Sequence, residues 1–293
     1  MSVINTNVKS LIAQNALTVN NRSLSRTMEQ LSTGKRINSA ADDAAGLAIS
    51  NKMTAQIRGL NQAVRNANDA ISMIQTAEGA TQEITNMLQR MRELAVQSSN
   101  DTNTSTDRGS LDLEFKELSQ EINRIAGMTQ FNTKGVLDGV GGGTASAVAS
   151  VDMVFHVGAN ASQSITVKFK NLTTSSTNGG LLSSVAWISG STGFNITTQS
   201  GANTAITTID TAIATVDDFR ADLGAKINRL TYAIDNLSNV STNTTESRSR
   251  ILDADYAKAS SELARTQIIQ QAATAMLAQA NQAPQSVLKL LQG

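Results

Sequence analysis

Apolar residues recur along this chain at alternating spacings of three and four. Ile57, Leu60, Val64, Ala67, Ile71 and Ile74 form one such run, and Ile84, Leu88, Met91 and Ala95 continue it. A stripe of that period buries one side of an α-helix in a heptad seam, so the pattern predicts a helix over about 40–98. The turn-rich stretch SSNDTNTSTD follows, with Thr104 and Asp107 at capping-box spacing. The seam then returns at Leu111, Phe115, Leu118, Ile122 and Ile125 and is closed by Gly127, which predicts an antiparallel helix over 105–127. A third run, Ile209, Ile213, Val216, Phe219, Leu223, Ile227, Leu230, Ile234 and Leu237, predicts a helix over about 207–249 that completes a bundle with the first two.

Both ends carry seams of their own. Leu17, Leu24, Met28 and Leu31 form one near the start. Leu252, Tyr256, Ala259 and Leu263, then Ile269, Ala272, Met276, Ala280, Ala283, Val287 and Leu290, form one near the end. Ile268, Ala275, Leu277, Leu288 and Leu291 fall outside that last stripe, and no charged side chain occurs between Thr266 and Leu288. A helix that is apolar on more than one side needs partners on more than one side. Ordering a residue costs about 1–2 kcal/mol of backbone entropy, and a fully buried Leu returns about 1.5–3 kcal/mol. The ends are therefore expected to be disordered in an isolated molecule and to fold together on assembly. Pro284 lies within the seam and predicts a kink or a break there.

Between the helical runs the period changes to two. Val151, Met153, Phe155 and Val157 alternate with polar residues, as do Ile165, Val167 and Phe169, and GANASQ bridges the two segments. This predicts a β-hairpin. GVGGGTASAVAS, TTSSTNGG and SGSTG are turn-forming and poor in apolar residues, so residues 128–206 are expected to be a small hairpin-and-loop elaboration. The fold class is mainly α: a long antiparallel helical bundle or coiled coil formed by the N- and C-terminal segments, with a small β-hairpin region in the middle of the chain.

Composition narrows the chemistry. Aromatic residues make up 3% of the 293, Pro284 is the only proline, and cysteine is absent, so neither a disulfide nor a thiolate nucleophile is available. The 24 basic and 24 acidic residues balance, which removes any global field for nucleic acid or anionic membrane. No run is apolar enough for a signal peptide or a membrane span, and no membrane insertion is expected. The single histidine, His156, sits on a predicted strand without a second ligand at useful spacing and reads as structural. Asp42 and Asp43 follow Ser39 and read as complements to a helix N-terminus rather than as metal ligands. GVGGGT lacks the ending of a phosphate loop. Lys9, Arg22, Arg26, Lys35 and Arg36 have no interleaved aromatic residues for base stacking, so a solvated or inter-subunit face is expected and nucleic acid is not. No catalytic residue, metal site or cofactor is predicted.

One helix carries a possible second strip. Met87 and Leu94 are seven residues apart and flank Arg90, with Gln97 beyond. On spacing alone this is equally a second interface or the edge of a broad core-facing stripe with a snorkelling arginine.

Long stretches then resemble one family. MSVINTN, LSTGKRINSAADDAAGLAIS, GLNQAVRNANDAISMIQTAEGA, LQRMRELAVQSSN, TQFNTKGVL and RSRILDADYAKASSELARTQIIQQAATAMLAQANQAPQSVLKLL closely resemble bacterial flagellin, over about the first 140 residues and the last 50. The segment FHVGANASQSITV is similar to hairpins of shorter flagellins. The resemblance implies a structural, non-enzymatic subunit that self-assembles as a helical homopolymer, the propeller filament of the bacterial flagellum, secreted without a cleaved signal through the flagellum's own channel. It implies that residues 1–38 with 250–293 form a terminal coiled-coil domain lining the filament core, whose seam includes Leu17, Leu24, Met28, Leu31, Leu263, Ile269, Met276, Val287 and Leu290. Residues 39–249 would form the rod domain. Gln89, Arg90, Glu93, Leu94, Gln97 and Glu114 match the strip that in related flagellins contacts an axial neighbour and is recognised by the host's flagellin-sensing Toll-like receptor. VLKLL matches, less closely, an ending read by an intracellular host sensor. Further implied partners are an export chaperone and the export apparatus, and hook-associated junction and cap proteins. The alternatives are a hook–filament junction protein of the same architecture, a secreted enzyme on a flagellin frame, and a basic nucleic-acid binder.

Overall fold

The structure, a computed structural model, describes residues 7–139, 150–174, 182 and 195–292, with side chains up to residue 282. Five helices carry the fold: α1 (Val8–Thr33), α2 (Ala44–Ser98), α3 (Ser105–Met128), α4 (Gln199–Leu252) and α5 (Tyr256–Gln292). Four strands, β1 (Gln130–Phe131), β2 (Lys134–Gly135), β3 (Ser150–His156) and β4 (Ser164–Lys170), pair as two antiparallel hairpins. Helices account for 75% of the residues, so the mainly α expectation holds. The chain divides into two compact units, residues 1–57 with 242–293 and residues 58–241.

In the unit of residues 58–241 the predicted stripes are the core. Ile74, Ile84, Leu88, Met91 and Ala95 of α2, Phe115 and Ile122 of α3, and Ile209, Val216, Phe219, Leu223 and Leu230 of α4 are buried in one contiguous cluster. Ala67, Ala70 and Ala77 are also fully buried; small side chains at those positions leave room for neighbouring backbone and larger residues to approach. The alternation in β4 is equally direct, with Ile165, Val167 and Phe169 turned into the same cluster. β3 and β4 pair from Ser150–Lys170 to His156–Ser164, and Asn66 Nδ2 donates to the His156 carbonyl at 3.0 Å, so this histidine is placed by its backbone.

Side-chain acceptors on α3, the buried Asp112 and the exposed Asn123, bond the stretches around Ile196 and Thr174. Asp112 Oδ1 accepts from the Ile196 amide at 3.1 Å, and Lys116 Nζ lies 2.7 Å from the other oxygen of the same carboxylate. Thr174 N donates to Asn123 Oδ1 at 3.3 Å.

Several boundaries differ from expectation. α4 begins at Gln199 rather than near 207, because Ala202 and Ala205 already extend the spacing that leads to Ile209. Gly127 does not close α3, which runs to Met128 with Thr129 as cap. α5 continues through Pro284 to Gln292, so the helix does not break there, although a proline removes one helical hydrogen bond. The β1–β2 hairpin was not predicted: its turn puts Asn132 at φ 48 and Thr133 at φ 65, both left-handed, as a two-residue hairpin of this kind requires.

Gly224 lies inside α4 with nothing within 4 Å of the position a Cβ would take. Gly224→Ala is therefore expected to raise stability by about 0.5–1 kcal/mol, through restricted unfolded-state freedom and better helix propensity. Thermal unfolding of the two chains checks this.

The caps are sensitive to acid. Thr104 and Asp107 form the predicted capping box on α3. Before α2, Asp42 Oδ2 accepts from the Ser39 amide at 3.0 Å and the Asn38 amide at 3.2 Å, while Asp43 Oδ1 accepts from Gly46 N at 2.8 Å. The acidic pair is a capping device. The pKa of Asp42 is lowered, first by the Ser39 backbone hydrogen bond and then by that of Asn38, with Arg26 adding attraction. That of Asp107 is lowered by the Thr104 hydroxyl and then by the Thr104 backbone. A carboxylate held below its unfolded pKa contributes stability above that value and loses it as pH falls through the folded one. The wild-type helical signal should therefore fall below about pH 3.8, the ordinary carboxylate value here. Asp42→Asn, whose side chain does not titrate, should show a flatter profile in that window.

Candidate association surfaces

α1 and α5 pack antiparallel in the unit of residues 1–57 with 242–293. Asn7 caps α1, accepting from Ser10 N at 3.1 Å and donating through Nδ2 to the Ala280 carbonyl at 2.8 Å. Ser10 Oγ donates to Asn281 Oδ1 at 2.9 Å, Asn20 Nδ2 to the Thr266 carbonyl at 2.9 Å, and Gln270 Nε2 to Asn21 Oδ1 at 3.1 Å. At the far end Gly34, in the left-handed conformation that favours glycine, closes α1, and Ala254 N donates to its carbonyl at 2.9 Å.

The pair has a mixed interior, in which buried polar residues sit among half-buried leucines, and it leaves several apolar side chains outside. The buried residues of α1 are Ser10, Asn20 and Thr27, and in α5 Thr266 is 2% exposed. Leu11, Ile12 and Val19 of α1 and Ile268 and Met276 of α5 are each at least 60% exposed. Of the predicted seam, Leu17, Leu24, Leu31 and Leu263 are half-buried, while Met28, Ile269 and Met276 are exposed. Val287 and Leu290 lie outside the described side chains. In α5, Ala259, Leu263, Thr266, Gln270, Ala273, Leu277 and Ala280 are buried or half-buried at heptad spacing, and Thr266, Gln270 and Ala280 of them bond to α1. Gln270 bonds Asn21 of α1 through its side chain, whereas Thr266 offers α1 its backbone carbonyl and turns its own hydroxyl to the Glu262 and Leu263 carbonyls of α5. On one side of the seam a groove of about 690 Å³ is lined by Ile12, Ala16, Val19, Asn20, Thr266 and Ile269.

The second strip lies on α2 and α3. Arg90 makes 2.9 Å ion pairs with Glu93 and with Glu114, joining the two helices. The hydrogen bonds to Glu93 and then Glu114 raise the pKa of its guanidinium. Gln89, Arg90, Glu93, Gln97 and Glu114 are all exposed. Leu94 is not: at 1% exposure it belongs to the core cluster. The heptad from Met87 to Leu94 is thus the edge of a broad core-facing stripe, and the surface strip is polar. On a neighbouring face Arg92 pairs with Asp210 of α4 at 2.6 Å.

Arg26 pairs with Asp42 at 3.1 Å and Arg36 donates to the Ile251 carbonyl at 2.6 Å, so two of the basic residues near the start have structural partners. Among the described residues no group of three His, Asp or Glu side chains could hold a metal ion, and no helix is long and apolar enough to cross a membrane. The polar seam residues Asn20 and Thr266 escape a reading that counts only apolar positions. The heptad through Leu17, Leu24 and Leu31 points to them, since Ser10, Asn20 and Thr27 are the residues that complete it.

Long helices with a contiguous core in one unit, and in the other a helix pair that turns apolar side chains outward, define a helical structural protein built for association. Residues 4–141 match the bacterial flagellin N-terminal helical region and residues 206–291 the bacterial flagellin C-terminal helical region. Flagellin of Halalkalibacterium halodurans is 47% identical over 290 residues, covering 99% of both chains, and flagellin of Bacillus subtilis is 44% identical over 304 residues, covering 98% of this chain and 99% of that one. The crystal structure of Bacillus cereus flagellin aligns at 35% identity with a TM-score of 0.45, over 59% of this chain and 88% of that one. The chain belongs to the bacterial flagellin family. It is a structural subunit of the extracellular flagellar filament and not an enzyme, and the hook-junction alternative is not favoured.

Proposed function

We propose that residues 1–38 with 250–293 are the filament-core domain, and that the outward apolar side chains of α1 and α5 are covered by the same helices of neighbouring copies. Residues 39–249 serve as the rod domain. The reading rests on the terminal helix pair: Ile12, Val19 and Ile268 are exposed by more than 60%, while the pair's own interior takes Ser10, Asn20 and Thr266. Leaving such side chains in water forgoes roughly 1.5–3 kcal/mol each. The same surfaces suit an export chaperone that shields the subunit before polymerisation, and the junction and cap proteins that meet it at the filament ends.

The exposed strip of Gln89, Arg90, Glu93, Gln97 and Glu114 is assigned to the axial neighbour and, in a host, to the flagellin-sensing Toll-like receptor. Its support is the ion-paired Arg90, held between Glu93 and Glu114 in a fixed pose that a partner can read. Arg90→Ala and Glu114→Ala are expected to reduce receptor reporter signalling without loss of helicity, and unchanged signalling by both refutes the assignment. Leu94→Ala tests something else, because removing a core side chain acts through a cavity.

A further inference from the structure

We propose that Met276 is an oxidant-sensitive modification site: conversion of its thioether to the sulfoxide by hydrogen peroxide disables the subunit for filament growth until the oxygen is removed again. The chain has no cysteine, so it holds no thiol to consume a peroxide first, and two-electron oxidation falls on its nine methionines. Access decides which of them react. Met73 and Met91 are buried in the core, whereas Met28, Met128 and Met276 are each more than half exposed.

Surroundings separate the three exposed side chains. Met28 follows Arg26 and precedes Glu29 on a charged stretch of α1. Met128 Sδ already accepts from Arg124 Nη1 at 3.5 Å, so an added oxygen there has a cationic donor at hand. Met276 stands in the stretch between Thr266 and Leu288 that carries no charged side chain, and it is 66% exposed, as Ile268 is at 65%. In the reaction a sulfur lone pair attacks one peroxide oxygen, an S–O bond forms and the O–O bond breaks. The departing hydroxide takes a proton and leaves as water, so sulfur is oxidised by two electrons and the peroxide reduced by two. The product places a polar acceptor where there was hydrocarbon surface. In the soluble chain water satisfies that oxygen. Under a neighbouring copy it loses its water, and a buried polar group without a partner costs about tenfold or more in affinity. That Met276 is covered in the filament rests on the proposed function; its access to oxidant in the soluble chain does not.

Soluble full-length chains and preformed filaments are treated with hydrogen peroxide, and the oxygen added at each methionine is quantified by peptide mass spectrometry. In soluble chains Met28, Met128 and Met276 are expected to oxidise well ahead of Met73 and Met91, and in filaments Met276 is expected to be protected. Seeded growth of the treated chain should need about tenfold more protein. Met276→Leu should grow alike before and after treatment, and Met276→Gln, which carries a permanent amide oxygen, should grow poorly without any oxidant. A methionine sulfoxide reductase with dithiothreitol should restore the treated chain, two thiols closing to a disulfide as the oxygen leaves as water. The double variant Met28→Leu with Met128→Leu keeps Met276 and should lose growth on treatment as the parent does, which gives an answer even where Met276→Leu folds badly. Full growth of chains oxidised at Met276 overturns the proposal, as does a loss of growth that Met276→Leu does not prevent. Rapid oxidation of Met276 in filaments overturns instead the covering that the proposed function requires, and the growth assays on soluble chains still decide whether oxidation there stops assembly.

Discussion

Phe219→Ala is expected to destabilise the unit of residues 58–241 by about 3–5 kcal/mol, the range for deleting a fully buried aromatic ring. Phe219 is fully buried and belongs to the cluster that joins α2, α3 and α4. Lys170 Nζ stands 5.9 Å from its ring centroid, so the substitution also removes the face on which that ammonium rests. A long, thin seam has few layers through which neighbours can collapse into a void, which puts the cost toward the upper part of the range. Domains are stable by only about 5–15 kcal/mol in total, so the loss is a large share of the whole. Denaturant unfolding followed by helical ellipticity measures it. Val154→Ala, on the exposed side of β3 at 65% exposure, is the control. Equal midpoints for the two variants would mean that the helix seam is not where the stability resides.

The helices of that unit could be read from the chain because their inward positions are apolar and their outward ones are not. The stripe from Ile84 to Ala95 is fully buried, as its period requires. The hairpin of β3 and β4 was legible for the same reason at period two. The terminal pair was legible as helix and, as a contact, only in part, through Leu17, Leu24, Leu31 and Leu263. There the inward residues Ser10, Asn20, Thr27 and Thr266 are polar, and Ile269 and Met276 stand outside. A rule that sends apolar residues inward assumes the single chain to be the complete folding unit. It goes astray at Ile269 and Met276 of α5, which the proposed function gives to neighbouring copies. The β1–β2 turn escaped because Thr133 at φ 65 is a β-branched residue in a conformation that usually selects Gly or Asn. Leu94 shows the limit from the other side: flanking Arg90 in sequence did not make it part of the surface that Arg90 occupies.

Removing residues 1–33 and 256–293, which hold α1 and α5, is expected to abolish filament growth and leave the unit of residues 58–241 helical. That unit buries its own core cluster, none of whose members lies in the deleted segments. The deleted helices supply the exposed Leu11, Ile12, Val19, Ile268 and Met276, the side chains that the proposed function buries between copies. Deletion alone does not separate two roles, since the helices could be needed for pairing with each other or for meeting neighbours. The combined variant Ile12→Ser, Val19→Ser and Ile268→Ser separates them. It leaves Asn20, Thr266 and the hydrogen bonds between α1 and α5 in place and removes exposed hydrocarbon, two of the three side chains lining the groove beside the seam, at roughly 1.5–3 kcal/mol of potential burial each. The loss is incurred once for every subunit added to a filament. A few kcal/mol per subunit raises the concentration needed for growth by two or more powers of ten, at about 1.4 kcal/mol for each tenfold. Seeded growth followed by electron microscopy and sedimentation reads both variants. Filaments from the serine variant at wild-type concentrations would mean that the outward side chains of α1 and α5 are not what the assembly buries.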